Sequence, residues 1–281
     1  MGETSRSAMT VETRYFDLQA DFGITKHMGG RKATDELVEL CHLRAGNSVL
    51  EVGCGIGTTT RYLAGESGFL VTAVDLSPRM IERAQERSKR RGLADRVEFR
   101  VADAQQLPFE EAVFDAVIDE SVTAFVPNKE RALSEYVRVV KPGGYVGLNE
   151  VTWTKAPPAE LVRYTALIMA GADFLPAAGW QALLEGVGLA ELAVRQYPFE
   201  ARSQFVEELR QLDAREYMRA WVRFVTQSVT NPAYRSFAKD VLAAPDQIFK
   251  FVKHIGYGLY VGRKPAVANL IVDIPDLLAS H

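Results

Sequence analysis

The sequence predicts an α/β protein with a seven-stranded, mostly parallel sheet and an antiparallel last strand, and three observations support this prediction. Short apolar runs typical of buried strands alternate with segments of helical periodicity along most of the chain. A glycine-rich turn, Gly53-Cys-Gly-Ile-Gly57, directly follows the first strand, and an acidic residue, Asp75, ends the second. In open sheets of this type, ligands bind beyond the carboxyl ends of the strands. The pattern therefore predicts a ligand cleft at that edge.

The elements follow in order from local signals. The predicted strands are 48–52, 69–74, 96–101, 114–119, 145–152, 190–197 and 255–262. The predicted helices are 32–43, which precedes the first strand, and 58–64, 77–92, 127–140 and 180–186, which connect the strands. The third has the strongest start, because Ser77 is a good N-cap and Pro78 suits the first helical position.

The glycine turn has the composition that a close approach of backbone to a ligand requires. Glycine tolerates positive φ and has no Cβ to block the approach. Beyond the next strand, the Asp75 carboxylate can accept hydrogen bonds from both ribose hydroxyls of a nucleoside. These features indicate a nucleoside ligand and leave open which one.

Nicotinamide dinucleotides and S-adenosylmethionine both fit a glycine turn followed by an acidic strand end. The glycine pattern here is Gly-x-Gly-x-Gly, without the third glycine of the pyrophosphate fingerprint three places after the second. Glu51 lies two residues before the first glycine, where its charge suits an ammonium or sulfonium group and would repel a pyrophosphate. Both differences favour S-adenosylmethionine.

Four motifs in order resemble those of the class I S-adenosylmethionine-dependent methyltransferases, which have a Rossmann-like sheet. They are Glu51–Gly57, Val74–Met80, Ala102-Asp103-Ala104 and Lys141-Pro-Gly-Gly144, and the resemblance covers residues 27–152. More narrowly the chain resembles the small-molecule branch that includes ubiquinone/menaquinone, tocopherol, sarcosine and phosphoethanolamine methyltransferases. The resemblance implies S-adenosyl-L-methionine as cofactor, S-adenosyl-L-homocysteine as product and a small-molecule methyl acceptor.

The resemblance also implies which residues bind the cofactor. Leu76 and Met80 would flank the adenine, although Met80 could equally be a core residue, and Asp103 would accept from the exocyclic amine. Glu120 would touch the cofactor or orient its loop. The complete predicted cofactor set is Glu51, Gly53, Cys54, Gly55, Asp75, Leu76, Met80, Asp103, Ala104 and Glu120.

The catalytic residues are less clearly marked. Several relatives place a histidine just after the fourth strand, whereas this chain reads Glu120-Ser-Val-Thr-Ala-Phe125 there. Glu150 is the predicted substrate contact or base, with a solvated strand-end charge as the alternative. By resemblance, His27, Gly29 and Gly30 belong to a lead-in that closes over the methionine end, and Tyr15 is a further contributor to this lid. A simple loop before a helix is the other interpretation of Gly29-Gly30.

Six segments are predicted, and two of them are insertions. They are an N-terminal lid or flexible segment (1–26), the cofactor-binding core (27–152), a helical substrate insertion (153–175), the core continuation (176–198), a second helical insertion (199–254), and the last strand and tail (255–281). Three roles are open for the apolar residues of the insertions. They could cover the sheet, line a lipid-like or aromatic substrate pocket, or form a homodimer contact.

Composition narrows the functional classes. Net charge is −3, so no basic bias indicates a nucleic-acid partner. The 2 cysteines and 4 histidines lack disulfide or metal-site spacing. No apolar run reaches the ~18 residues of a transmembrane helix, and no signal-peptide core is evident, so a cytoplasmic protein is expected.

The function predicted from the sequence is methyl transfer from S-adenosylmethionine to carbon, oxygen or nitrogen of a small molecule, apolar or lipid-like. Such a transfer is an in-line displacement that depends on positioning. A non-catalytic S-adenosylmethionine-binding protein and a nicotinamide-dependent oxidoreductase are the alternatives. A nucleic-acid methyltransferase is disfavoured, because no Asn/Asp-Pro-Pro-aromatic run follows the fourth strand.

Overall fold

The structure is a computed structural model that describes residues 27–199 and 245–266, together with separate helical residues between 218 and 235. The predicted N-terminal segment 1–26 (with Tyr15), most of the insertion 199–254 and the tail beyond residue 266 lie outside the described residues.

One sheet organises the described chain. Its strands are β1 (Ser48–Val52), β2 (Leu70–Asp75), β3 (Val97–Val101), β4 (Phe114–Glu120), β5 (Val140–Trp153), β6 (Leu175–Pro176), β7 (Ala190–Pro198) and β8 (Ile255–Arg263). Their order is β3-β2-β1-β4-β5-β8-β7, with the short β6 paired to β5. Strands β1 to β5 are parallel to one another, and β8 is antiparallel to both β5 and β7.

This topology confirms the predicted α/β class, the mostly parallel sheet and the antiparallel last strand. One detail differs from the prediction, because the two-residue β6 makes the sheet eight-stranded. The sequence did not specify the place of the last strand, which lies between β5 and β7, so that β7 forms the edge of the sheet.

Seven helices lie among the described residues. They are α1 (Gly30–Leu40), α2 (Thr58–Gly65), α3 (Pro78–Arg90), α4 (Lys129–Val139), α5 (Ala159–Ile168), α6 (Ala177–Gly186) and α7 (Pro245–His254). The predicted start of α3 is confirmed, because the Ser77 side chain accepts a hydrogen bond from the Met80 N–H at 3.3 Å and Pro78 is the first helical residue.

Two apolar layers cover the sheet. On one face Leu37 of α1, Leu63 of α2 and Ile81 of α3 pack with alternate residues of the inner strands. On the other face Tyr136 of α4 and Trp180 of α6 do so. Burial of these fully enclosed side chains stabilises the fold by about 1.5–3 kcal/mol for each large residue. The carboxyl ends of β1 to β5 are thereby fixed along one edge.

Within the described ranges, no helix has both the length and the apolar character needed to cross a membrane. The same residues contain no group of three or more histidine, cysteine or acidic side chains placed to hold a metal ion.

Candidate cofactor and active site

The turn between β1 and α2 has the conformation expected of its glycines. Gly53, Gly55 and Gly57 have φ values of +68°, +52° and +71°. A Cβ on Gly53 would lie 2.2 Å from Cγ2 of Val122, so glycine is required there for space as well as conformation. The Cys54 N–H donates to the Val74 carbonyl at 2.9 Å and ties the turn to β2. The Cys54 side chain itself is buried.

Asp75 connects the end of β2 to this turn. Its carboxylate accepts hydrogen bonds from the Gly55 N–H and from the Ser77 N–H, both at 2.9 Å. Burial raises the pKa of Asp75, while these two backbone hydrogen bonds oppose the rise. The bonds fix the carboxylate at the ligand edge and leave acceptor capacity for further donors.

The residues predicted to surround adenine are divided between surface and core. Leu76 is 71% exposed directly after Asp75, and Val101 at the end of β3 is 49% exposed. Met80, by contrast, is buried against Ile56, which agrees with the core interpretation of this residue. Leu76 and Val101 thus offer apolar surface beside Asp75, where an aromatic base could pack.

The predicted Asp103-Ala104 pair also differs in exposure. Ala104 is buried in the core. Asp103 is exposed, and its Oδ1 accepts hydrogen bonds from the Gln105 backbone at 2.8 Å and from the Gln105 side chain at 3.2 Å. Its predicted bond to the adenine amine stays a prediction.

Glu120, the last residue of β4, accepts hydrogen bonds from two helices. Oε2 accepts from Thr59 of α2 and Oε1 accepts from Thr34 of α1, each at 2.9 Å. Nδ1 of His27 lies 3.3 Å from the same Oε1. The side chain of Glu120 is only 6% exposed, so these neighbours provide most of its surroundings. This arrangement orients the carboxylate and leaves it poorly placed to take a substrate proton.

Glu51 is a second buried carboxyl group on the same face of the sheet, one strand away from Glu120. Burial raises its pKa to about 8, and the charges of Glu120 and Asp75 raise it as well. Oε2 has no hydrogen-bond partner among the described residues. A buried acceptor without a partner is costly, and a cationic group placed here would satisfy it.

Glu150 and Asp119 form a buried pair on the opposite face of the sheet. Glu150 lies within β5, fully buried, and Oε1 accepts from the N–H groups of Val122 at 3.0 Å and Ala124 at 3.3 Å. Asp119 accepts from the hydroxyls of Thr123 and Tyr136. The pair therefore holds the 3₁₀ turn Thr123–Phe125, which follows β4.

The structure gives Glu150 an immediate role that the sequence did not indicate. Its side chain supports the turn after β4 rather than facing solvent, as a strand-end charge would. Substrate contact or base catalysis by Glu150 stays a prediction. The pairing with Asp119 depends on which face of each strand these residues occupy, and the only sequence signal is an acidic residue inside each of two apolar runs.

Burial favours the protonated form of the Glu150–Asp119 pair, so the free energy of unfolding depends on pH. It raises the pKa of Glu150 well above 4.5 and that of Asp119 to about 6. The folded state then keeps protons that the unfolded state releases, so these groups lower stability as pH rises from about 4 through 6 and beyond. Glu150→Gln keeps the Oε1 acceptor and supplies a permanent N–H donor toward Asp119.

We expect Glu150→Gln to be more stable than the wild type by about 1–3 kcal/mol at pH 8. The gain should vanish at about pH 3, where the wild-type carboxyl is protonated in both the folded and the unfolded state. Urea unfolding at the two pH values checks this prediction. A loss of stability at pH 8, or the same difference at both pH values, would contradict it.

An aromatic cluster of Trp153, Phe174 and Phe251 lies at the carboxyl end of β5. The ring of Trp153 lies 5.8 Å from that of Phe174 and 6.0 Å from that of Phe251, measured between centroids. The N–H of Asp173 donates to the carbonyl of Ala124 at 2.9 Å and joins this cluster to the 3₁₀ turn. Trp153 and Phe174 are buried, so the insertion after β5 extends the apolar core at this end of the strand.

Comparison with known proteins agrees with this geometry. Residues 50–148 match the family described as a methyltransferase domain. This stretch contains the glycine turn, Asp75 and the ends of β3 and β4. Residues 50–148 form a class I S-adenosylmethionine-dependent methyltransferase domain. The predicted family and its cofactor are confirmed for this domain.

Relatives of the methyltransferase domain act on different kinds of molecule. Methyltransferase GfsG of Streptomyces halstedii is 34% identical over 43% of this chain and 44% of its own length. The 27-O-demethylrifamycin SV methyltransferase of Amycolatopsis mediterranei is 28% identical over 83% of each chain. Tocopherol O-methyltransferase of Arabidopsis thaliana is 40% identical over 37% of this chain and 30% of its own. The chain thus spans less than half the length of several curated relatives.

Solved structures share the fold across most of the chain. The [4+2]-cyclase SpnF superposes with a TM-score of 0.71 at 22% identity, covering 92% of this chain and 97% of its own. Phosphoethanolamine N-methyltransferase 2 of Haemonchus contortus, solved with S-adenosyl-L-methionine, gives 0.68 at 20% identity, covering 92% and 58%. At these identities the likeness shows the fold alone.

Proposed function

We propose that this protein binds S-adenosylmethionine in the cleft above β1, β2 and β4 and transfers its methyl group to an apolar small molecule. The observation that carries the proposal is the Asp75 carboxylate, held by the N–H groups of Gly55 and Ser77 at the carboxyl edge. This geometry presents a fixed anion to a ribose beside a turn that has no side chains to block it.

The residues at the edge suit the three parts of this cofactor. Asp75 suits the ribose, and the exposed Leu76 and Val101 suit the adenine. The buried Glu51, with one oxygen that lacks a partner among the described residues, suits the ammonium group. A dinucleotide fits less well, because the turn lacks the third glycine of the pyrophosphate fingerprint three places after the second.

The protein's contribution to the reaction is positioning. When bound, S-adenosylmethionine supplies an electrophilic methyl group on a sulfonium. The residues around the turn hold this end of the cleft, and alignment of the acceptor with the methyl can supply about 7–11 kcal/mol. Glu120 is occupied by its donors, and Asp119 and Glu150 are buried within the protein. We therefore favour an acceptor that needs little help in losing a proton.

The aromatic cluster supports an apolar acceptor. Trp153 and Phe174 come from β5 and the insertion after it, and Phe251 comes from α7 immediately before β8. Trp153 ends β5 and the other two rings pack on it, and we place the acceptor at this carboxyl edge of the sheet, where ligands of such sheets bind. The alternative use of these rings is to cover the sheet edge, and the acceptor assay below distinguishes the two uses.

The test is transfer of isotopically labelled methyl from S-adenosylmethionine to compounds of different polarity. The panel contains hydrophobic phenols and quinols on one side, and sarcosine and phosphoethanolamine on the other. We expect label in the apolar compounds, and none with Asp75→Ala. Transfer to the polar amines alone would contradict the proposed acceptor. Cofactor binding without transfer to any compound would favour the non-catalytic alternative. Transfer has to be assayed directly, because a protein with this fold, SpnF, is described as a [4+2]-cyclase and the fold alone does not fix the reaction.

We extend the proposal to the location of the protein and to its oligomeric state. We retain the predictions of a cytoplasmic protein and of a homodimer contact through the insertions, and gel filtration with light scattering tests the second. The predicted domain boundaries, with the insertion 153–175 as the substrate-selecting segment, are part of the same proposal.

A further inference from the structure

His27 lies next to Glu120 in the structure, although the two residues are far apart in the sequence. The sequence lacks the histidine that several relatives place just after β4. The structure instead brings a histidine from the N-terminal side, with Nδ1 3.3 Å from Oε1 of Glu120 and 3.0 Å from Nδ2 of Asn149. Its side chain is 15% exposed. Nε2 lies 3.4 Å from Oγ1 of Thr34, which itself donates to Glu120.

The residues after His27 are fixed on the same edge. Asn149, fully buried in β5, donates to the Met28 carbonyl at 2.9 Å. Gly29 has a φ of +78°, and a Cβ there would come within 2.6 Å of the Tyr257 ring. Residues 27–29 therefore cross the carboxyl ends of β4 and β5, next to the place where a ligand of this sheet binds.

Glu120 is the point at which this crossing segment meets the cofactor turn. One carboxylate oxygen accepts from Thr59 in the first turn of α2, directly after the glycines. The other oxygen faces Thr34 and His27. A shift of His27 would thus alter both the orientation of Glu120 and the position of the chain over the cleft.

We infer that His27 is a positioning residue for the cofactor, acting through Glu120 to hold residues 27–29 over the cleft. The inference rests on the proposed function, since it requires that S-adenosylmethionine bind there. His27 needs no contact with the cofactor for this role. It fixes the carboxylate that joins α1, α2 and β4, and so keeps the cleft in its binding shape before the ligand arrives.

Calorimetric titration of S-adenosylmethionine into the wild type, His27→Ala and His27→Asn tests this inference. We expect His27→Ala to raise Kd about tenfold, because the ring's contacts with Glu120 and Asn149 are lost. His27→Asn should recover most of the affinity, because its amide can donate to Glu120. Melting of the ligand-free His27→Ala protein should stay close to that of the wild type.

His42→Ala is the matched control. His42 packs its ring against Tyr145 at the amino end of β5, with centroids 5.4 Å apart, away from the cleft. We expect an unchanged Kd. An unchanged Kd for His27→Ala would overturn the inference, and so would a His27→Asn protein as weak as His27→Ala. If the wild type itself binds no S-adenosylmethionine, it is the proposed function that fails.

Discussion

Replacing Gly53 with alanine is expected to abolish cofactor binding and to destabilise the fold by about 3 kcal/mol or more, since backbone strain and a steric clash add. The φ of +68° is unfavourable for alanine, and the new Cβ would lie 2.2 Å from Cγ2 of Val122. Relief of that contact requires the turn to separate from the segment after β4. Urea unfolding and titration of S-adenosylmethionine measure the two effects.

Gly92→Ala separates the clash from the backbone strain. Gly92 has nearly the same φ, +69°, but nothing lies within 4 Å of a Cβ built there. We expect it to cost about 1 kcal/mol and to leave cofactor binding intact. Adding Val122→Ala to Gly53→Ala removes the clashing methyl groups and should restore part of both stability and binding. Equal losses for Gly53→Ala and Gly92→Ala would show that the contact with Val122 is unimportant.

Replacing Asp75 with alanine is expected to weaken S-adenosylmethionine binding by about 100-fold or more. Two hydrogen bonds from ribose hydroxyls to a carboxylate are each worth about 1.5–3 kcal/mol, and about 1.4 kcal/mol is tenfold in affinity. The substitution also removes the acceptor for the Gly55 and Ser77 N–H groups. Asp75→Asn should be nearly as weak, because its amide turns one acceptor into a donor facing a backbone N–H.

Asp95→Ala is the control for Asp75→Ala. Asp95 is an exposed carboxylate that precedes β3, at the opposite edge of the sheet from the cleft. We expect the same Kd as for the wild type, measured by the same titration. A Kd for Asp75→Ala within threefold of the wild type would remove Asp75 from the cofactor site.

Elements governed by local chemistry could be predicted from the sequence. Ser77 and Pro78 specify the start of α3 through capping and a fixed φ, and the structure begins the helix at Pro78. The glycine turn and Asp75 were likewise recognisable from their residue types after predicted strands, and the parallel pairing of β1 with β2 brings the Asp75 carboxylate to the Gly55 N–H. The position of β8 between β5 and β7 depends on tertiary packing, and no local signal marks it.

The parts of the site that could not be predicted are long-range pairs. His27 meets Glu120 only because α1 packs on the same face as β4, and Asp119 meets Glu150 only because neighbouring strands point both side chains to one face. An acidic residue in a strand gives no indication of its partner. The burial of Met80 beside the exposed Leu76 is a related case, since the helical spacing alone fits either role.

The central claim is that the cleft at Asp75 binds S-adenosylmethionine, and direct titration of the wild-type protein tests it. S-adenosylmethionine, S-adenosylhomocysteine and a nicotinamide dinucleotide would each be titrated into the same preparation by calorimetry. We predict micromolar binding of the first two and none of the third. Binding of the dinucleotide, with neither S-adenosyl compound bound, would contradict both the proposed function and the cofactor assigned to the domain, and would leave the fold standing.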